Sequence, residues 1–138
     1  MSFTRPTESL THAATLAMLS AAVAKAEETG QPQCIVIVDA SGETLGEIRM
    51  TGAKYLSRKS ARSKARTAAS IGAPSHTVPE GFRPGIAAAT QGEVTGLGGG
   101  LPIRMNGHLV GGIGVGSGTA EQDIAVGEAA LAAIGAKT

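Results

Sequence analysis

The stretch Leu109–Gly116 constrains this chain more than any other. Gly112, Gly114 and Gly116 alternate with Ile113 and Val115. In extended backbone, successive side chains point to opposite faces, so the three glycines share one face while Leu109, Ile113 and Val115 share the other. A bare strand face loses entropy on ordering and has no side chain to bury, so another body must approach its backbone closely. Three bodies satisfy that demand: a close-packed helix, a flat ligand, or a second subunit. Eleven of the chain's 20 glycines fall between residues 92 and 118, so the rest of the fold must be built around this region.

The composition fits close approach. Of 138 residues, 42% are hydrophobic but only 2% aromatic: Phe3, Tyr55 and Phe82. Large aromatics normally bury about 150–250 Å² each. Here Ile, Leu, Val, Met and 24 alanines must form the core. Such a core buries little area per residue, which leads us to expect subunit interfaces that complete it, with the chain itself as partner. The length suits one domain over 1–138, at about 100–150 residues for a typical domain. A net charge of +1 argues against a polyelectrolyte binder of nucleic acid or membrane. The lone Cys34 excludes an intrachain disulfide and a cysteine-based zinc site, and reads as a small buried hydrophobe. No run approaches the ~20 apolar residues of a membrane span, and Met1–Leu10 lacks a secretory pattern. The expected location is cytoplasmic.

Periodicity and punctuation give the elements. Residues 7–29 predict a helix with Leu16, Leu19, Val23 and Ala26 on its apolar face, stopped by Gly30 and Pro32. Cys34–Val38 is a continuous apolar run, expected as a strand covered on both faces. Asp39-Ala40-Ser41-Gly42 suits a type I turn, and Thr44–Met50 returns as the second strand of a hairpin. A second helix is expected over about 54–71, ended by Gly72 and Pro74. Residues 72–92, rich in Pro and Gly, read as a long loop with a short helix at Ile86–Thr90; such loops are often functional. Glu93–Leu97 is expected as a strand. Asn106-Gly107 between apolar runs predicts a type I′ hairpin joining Leu101–Met105 to His108–Val115. Thr119 and Gln122 have capping-box spacing at the start of the last helix. The predicted class is α+β: a central antiparallel sheet of about five strands with covering helices, PAS/profilin-like.

Two stretches and one loop carry chemical potential. From Ile48 to Pro79 there are seven basic residues and no acidic one, and Arg58, Arg62 and Arg66 fall on one helical face. The stripe is either a solvated face or the complement of an anionic ligand or subunit. The glycine region contains no phosphate-loop or dinucleotide pattern. Gly116-Ser117-Gly118-Thr119 opens a helix, but Glu121 and Asp123 in the next turn would repel phosphate, so a capping role is expected. His12, His76 and His108 show no metal-ligand spacing. His76 stands in the irregular loop with Glu80 and Arg83, as candidate ligand contacts.

Six pieces in order suggest a relationship: Ile35-Val36-Ile37-Val38-Asp39-Ala40-Ser41-Gly42, Arg49-Met50-Thr51-Gly52-Ala53, Ser63-Lys64-Ala65-Arg66-Thr67-Ala68-Ala69, Gly98-Gly99-Gly100-Leu101-Pro102-Ile103, Val110-Gly111-Gly112-Ile113-Gly114-Val115 and Thr119-Ala120-Glu121-Gln122-Asp123. Over about residues 8–136 the chain resembles the GlcG/HbpS-like family of haem-degrading-type domains. The resemblance implies a small α+β subunit that forms homo-oligomers, and a ligand that is haem, another tetrapyrrole or a small anion. The chain departs from the family pattern at the basic Arg58, Lys59 and Arg66, and in the order Gly116-Ser117-Gly118.

Three functions follow. A tetrapyrrole-binding protein would use basic residues for propionates and the glycine-rich face for the ring. A cofactor-independent lyase, hydratase or isomerase would hold a substrate carboxylate with Arg49, Lys64 or Arg83 and move a proton with His76, Glu80 or Glu121. A non-catalytic accessory subunit would do neither. Gly99, Gly100 and Thr119 complete the expected ligand-binding set, and no metal site is expected.

Overall fold

The computed structural model describes all 138 residues. The chain runs α1 (His12–Thr29), β1 (Cys34–Asp39), β2 (Thr44–Arg49), α2 (Ser57–Ile71), two 3-10 turns (Ser75–Thr77 and Glu80–Phe82), α3 (Arg83–Ala89), β3 (Gly100–Met105), β4 (His108–Gly116) and α4 (Ala120–Ala133). The four strands form one antiparallel sheet in the order β2-β1-β4-β3. The class is α+β, as expected, with four strands rather than about five.

The missing strand is Glu93–Leu97. Its polar groups are taken by side chains and local turns instead of a strand partner, two of them by one α2 residue. Thr67 Oγ1 donates to the Glu93 carbonyl at 3.2 Å and accepts from Thr95 N–H at 3.0 Å. A segment satisfied in this way does not need a ladder.

Both faces of β1 are covered, and Cys34 to Val38 are all fully buried. Ile35 and Ile37 face α1 and α4 in a core with Met18, Ile103, Ile113 and Val115. Cys34, Val36 and Val38 face α2, against Ala61, Ala65 and Ala69. The glycine face of β4 lies under that same helix. A methyl group at Gly114 would run into the Ala61 carbonyl, and one at Gly116 would stand 2.9 Å from the Ser57 carbonyl. The close body demanded by the sequence is therefore α2, packed with alanines toward the sheet. The flat-ring reading of the glycine face is corrected by this contact, because no space remains there.

Helix ends follow their signals with small shifts. The first helix begins at His12 rather than residue 7, because Thr11 caps it by accepting from Ala14 N–H. Its inward face is Thr15, Met18, Ala22 and Ala26, while Leu16 is 65% exposed. Gly46 lies under Thr15 and Leu19, so this side of α1 sits close on β2. The second helix starts at Ser57, three residues later than expected, after 3-10-type bonds from Ser57 N–H to Lys54 and from Arg58 N–H to Tyr55. The loop 72–92 contains α3, which begins at Arg83 rather than Ile86. Asn106 and Gly107 both have positive φ, 53° and 79°, as the type I′ turn requires. Thr119 and Gln122 form the full capping box.

Candidate functional site

The sequence-derived candidates separate into three places. The first surrounds Lys64, which α2 carries into the interior between β4 and α4. Its ammonium donates to Asp123 Oδ2 at 2.9 Å and to the Val115 carbonyl at 2.8 Å. Asp123 Oδ1 accepts from Gly118 N–H at 3.1 Å. Gly99, at φ 119°, lies against Asp123 and Val115, and Gly100 packs on the Lys64 carbonyl. Ser75 Oγ accepts from Gly100 N–H and donates to the Leu97 carbonyl. Lys64, Gly99 and Gly100 thus converge, but every polar group in the cluster already has a protein partner. Thr119 closes it as the α4 cap, its hydroxyl accepting from Gln122 N–H at 3.2 Å. The arrangement clamps the two glycine turns to α2 and α4.

The second place is the irregular loop. Arg83 donates to the carbonyls of Val78 at 2.8 Å and His76 at 3.0 Å, and so pins the 3-10 turns. His76, Glu80 and Glu121 are exposed. No ion pair or side-chain hydrogen bond joins them to one another or to a cation. Arg49 lies apart from both groups, on the exposed edge strand β2 opposite Cys34.

The third place was only partly visible in the sequence. A cavity of about 780 Å³ opens between the N-terminal segment, the β1–β2 turn, α2 and the start of β4. Arg5, Arg66 and His108 line it with Ser41, Ser70 and Leu109. Arg66 crosses above Gly42, where a Cβ would stand 3.3 Å from its Nε. It is paired with Glu93 at 2.7 Å and remains 27% exposed. Volumes of about 300–1,000 Å³ are usual for small-molecule sites. The basic stripe singled out Arg66 and the hairpin singled out His108. Arg5 had no signal, because only the fold brings the N-terminal segment to α2.

The stripe itself divides. Arg58 pairs with Glu47 at 3.0 Å and Arg66 with Glu93, while Arg62 has no carboxylate partner.

Two further polar groups lie under the 116–118 loop. Gln33 is fully buried beside Gly118, with neither amide atom hydrogen-bonded. Cys34 is fully buried, and burial pushes its thiol above the ordinary value, outweighing the opposing hydrogen bond of Ser117 and the charges of Arg49 and Arg58. No helix is long and apolar enough to cross a membrane, and no group of three His, Cys, Asp or Glu side chains is placed to hold a metal ion.

Known proteins are similar to this chain in fold and in sequence. The corrinoid adenosyltransferase PduO of Citrobacter freundii is 38% identical over 123 residues, 86% of this chain. The chain spans 37% of the length of that relative. The crystal structure of a PduOC–haem complex matches with a TM-score of 0.88 and 32% identity, over 95% of this chain and 99% of that one. Klebsiella pneumoniae protein ORFY matches with a TM-score of 0.93 and 30% identity, over 100% and 99% of the two chains. Residues 10–132 match the family described as haem degrading protein HbpS-like. With nearly its whole length matched by that family, the chain belongs to the HbpS-like family.

Proposed function

We propose that this protein is a small-ligand-binding protein whose ligand is haem or a related tetrapyrrole, held in the cavity lined by Arg5, Arg66 and His108. The observation that carries the reading is the likeness to the PduOC–haem complex over 95% of the chain. The residues of the cavity fit the group. Haem needs an iron ligand and cations for its propionates; the cavity offers one imidazole and two guanidinium groups, beside the carboxylates of Glu8 and Glu93, the second of which a propionate would displace from Arg66. His108 would face the iron, and Arg5 and Arg66 the propionates. Iron porphyrin supplies redox and oxygen chemistry when bound; the chain supplies orientation and charge. The small apolar side chains of Ala40, Ala69 and Leu109 favour a hold by charge and coordination over aromatic stacking.

Haemin titration tests the reading. A saturable Soret shift at micromolar haemin is expected, and His108→Ala should move the Soret position and raise Kd at least tenfold. Arg5→Ala with Arg66→Ala should raise Kd without moving the band. The absence of any saturable Soret change in the wild-type protein would refute haem binding.

A further inference from the structure

Two cations of α2 carry their ion pairs in opposite settings. Lys64 and Asp123 are enclosed in the interior, whereas Arg66 and Glu93 are 27% and 49% exposed and meet at the wall of the Arg5–His108 cavity. A half-exposed pair is weak, shifting an equilibrium by about fivefold at most. Arg66–Glu93 is therefore a contact that another carboxylate can replace, in a place where a ligand carboxylate would arrive.

Glu93 also belongs to a segment with few other holds. It follows α3, none of whose residues is buried, and it enters no strand ladder. Ser63 Oγ donates to the Gly92 carbonyl at 2.9 Å, and the Thr67 hydroxyl bridges the Glu93 carbonyl and Thr95 N–H. Ser63, Arg66 and Thr67 thus hang the segment on one side of α2, and the Arg66–Glu93 pair is its one ionic tie. Thr90, Glu93 and Val94 of this strap form part of the cavity wall.

We propose that Glu93 is an internal competitor for the cavity's ligand, and that its pair with Arg66 latches the strap of residues 90–97. The proposal rests on the reading of this cavity as the site of a carboxylate-bearing ligand. A carboxylate of the ligand takes Arg66, Glu93 turns to solvent, and the strap keeps only its bonds to Ser63 and Thr67. A neutral ligand of the same shape offers Arg66 nothing and leaves the latch shut, so Glu93 makes the site selective for carboxylates. Occupancy is felt beyond the cavity, because the strap leads directly into α3 and the exposed Phe82 and Ile86.

The sign of one substitution separates a competitor from a wall. Glu93→Gln should lower the haemin Kd by about two- to fivefold, whereas changing a residue that only shapes the cavity would raise it. Glu128→Gln, at an exposed carboxylate of α4, should leave Kd unchanged. Hydrogen–deuterium exchange followed by NMR reads the strap directly. With no ligand added, Glu93→Gln should speed exchange of the Val94 and Thr95 N–H groups several-fold. Haemin should do the same to the wild-type protein and add nothing to the variant. Millimolar citrate, a carboxylate probe without a porphyrin, should also loosen the wild-type strap relative to sodium chloride of equal ionic strength. A wild-type protein with no Soret change, but a strap loosened by Glu93→Gln and by citrate, would refute haem as the ligand and support the latch. A haemin Kd that Glu93→Gln leaves unchanged or raises, strap exchange unmoved in that variant, or a wild-type strap unmoved by both haemin and citrate would overturn the latch and leave haem binding standing on its own titration.

Discussion

Lys64 and Asp123, 59 positions apart, form an ion pair of 2.9 Å whose side chains are only 6% and 3% exposed. The pair ties α2 to α4 across the end of β4. Each charge has two protein partners: Lys64 has Asp123 and the Val115 carbonyl, Asp123 has Lys64 and Gly118 N–H. Removing one partner strands the other in the interior, at a cost of about 3–5 kcal/mol. Lys64→Met and Asp123→Leu should each lower the free energy of unfolding by that much, seen as a lower urea midpoint. The double variant should lose clearly less than the sum of the two. Urea titration of all three with a common m-value checks this, and strict additivity would count against the pair.

Gly114 has no room for a side chain, because the Ala61 carbonyl occupies the Cβ direction. Gly114→Ala must push α2 off the sheet, which should cost about 1–3 kcal/mol as overpacking. Gly85 in α3 meets nothing within 4 Å and has no positive φ, so Gly85→Ala should be neutral or slightly stabilising. Equal thermal shifts for the two variants would show that β4 is not held as closely as described.

Gln33 carries an opposite liability. Its amide is fully buried with both polar atoms unpartnered, and an unsatisfied buried polar group costs about 1–3 kcal/mol. Gln33→Met keeps the volume and removes the amide. It should raise the denaturation midpoint by about 1 kcal/mol equivalent. Destabilisation would mean that the amide makes hydrogen bonds in solution.

Cys34 sits with a raised thiol pKa inside the β1–α2 layer. The folded state therefore keeps the proton longer than the unfolded chain does. Its contribution to stability is fully present below the unfolded thiol's value, about 8.5, and is lost as pH rises above that toward the folded value. Thiol titration at about pH 8 should be slow in the native protein and fast in denaturant, with native-state reactivity rising only at higher pH. Rapid native labelling at pH 8 would contradict the burial.

Much of the fold was legible because its signals are local. The Thr119–Gln122 cap, the Asn106-Gly107 turn and the two-faced burial of β1 each depend on a few neighbouring residues, and each formed as expected. Glu93–Leu97 misled because its partner is the Thr67 hydroxyl, 26 and 28 positions away. Leu16, on the expected apolar face of α1, is turned outward because Thr15 and Met18 take the inward positions, Thr15 over Gly46 of β2 and Met18 in the core.

By itself, the sequence determined that one strand face is bare and that something must lie on it. It also determined where the chain turns, since φ preference and side-chain period belong to single residues and their neighbours. Only the tertiary structure decided that α2 is the covering body, that Lys64 meets Asp123, and that Arg5, Arg66 and His108 line one cavity. Those residues come from segments far apart in the chain. Their meeting depends on how helices pack across the sheet, which no local pattern encodes.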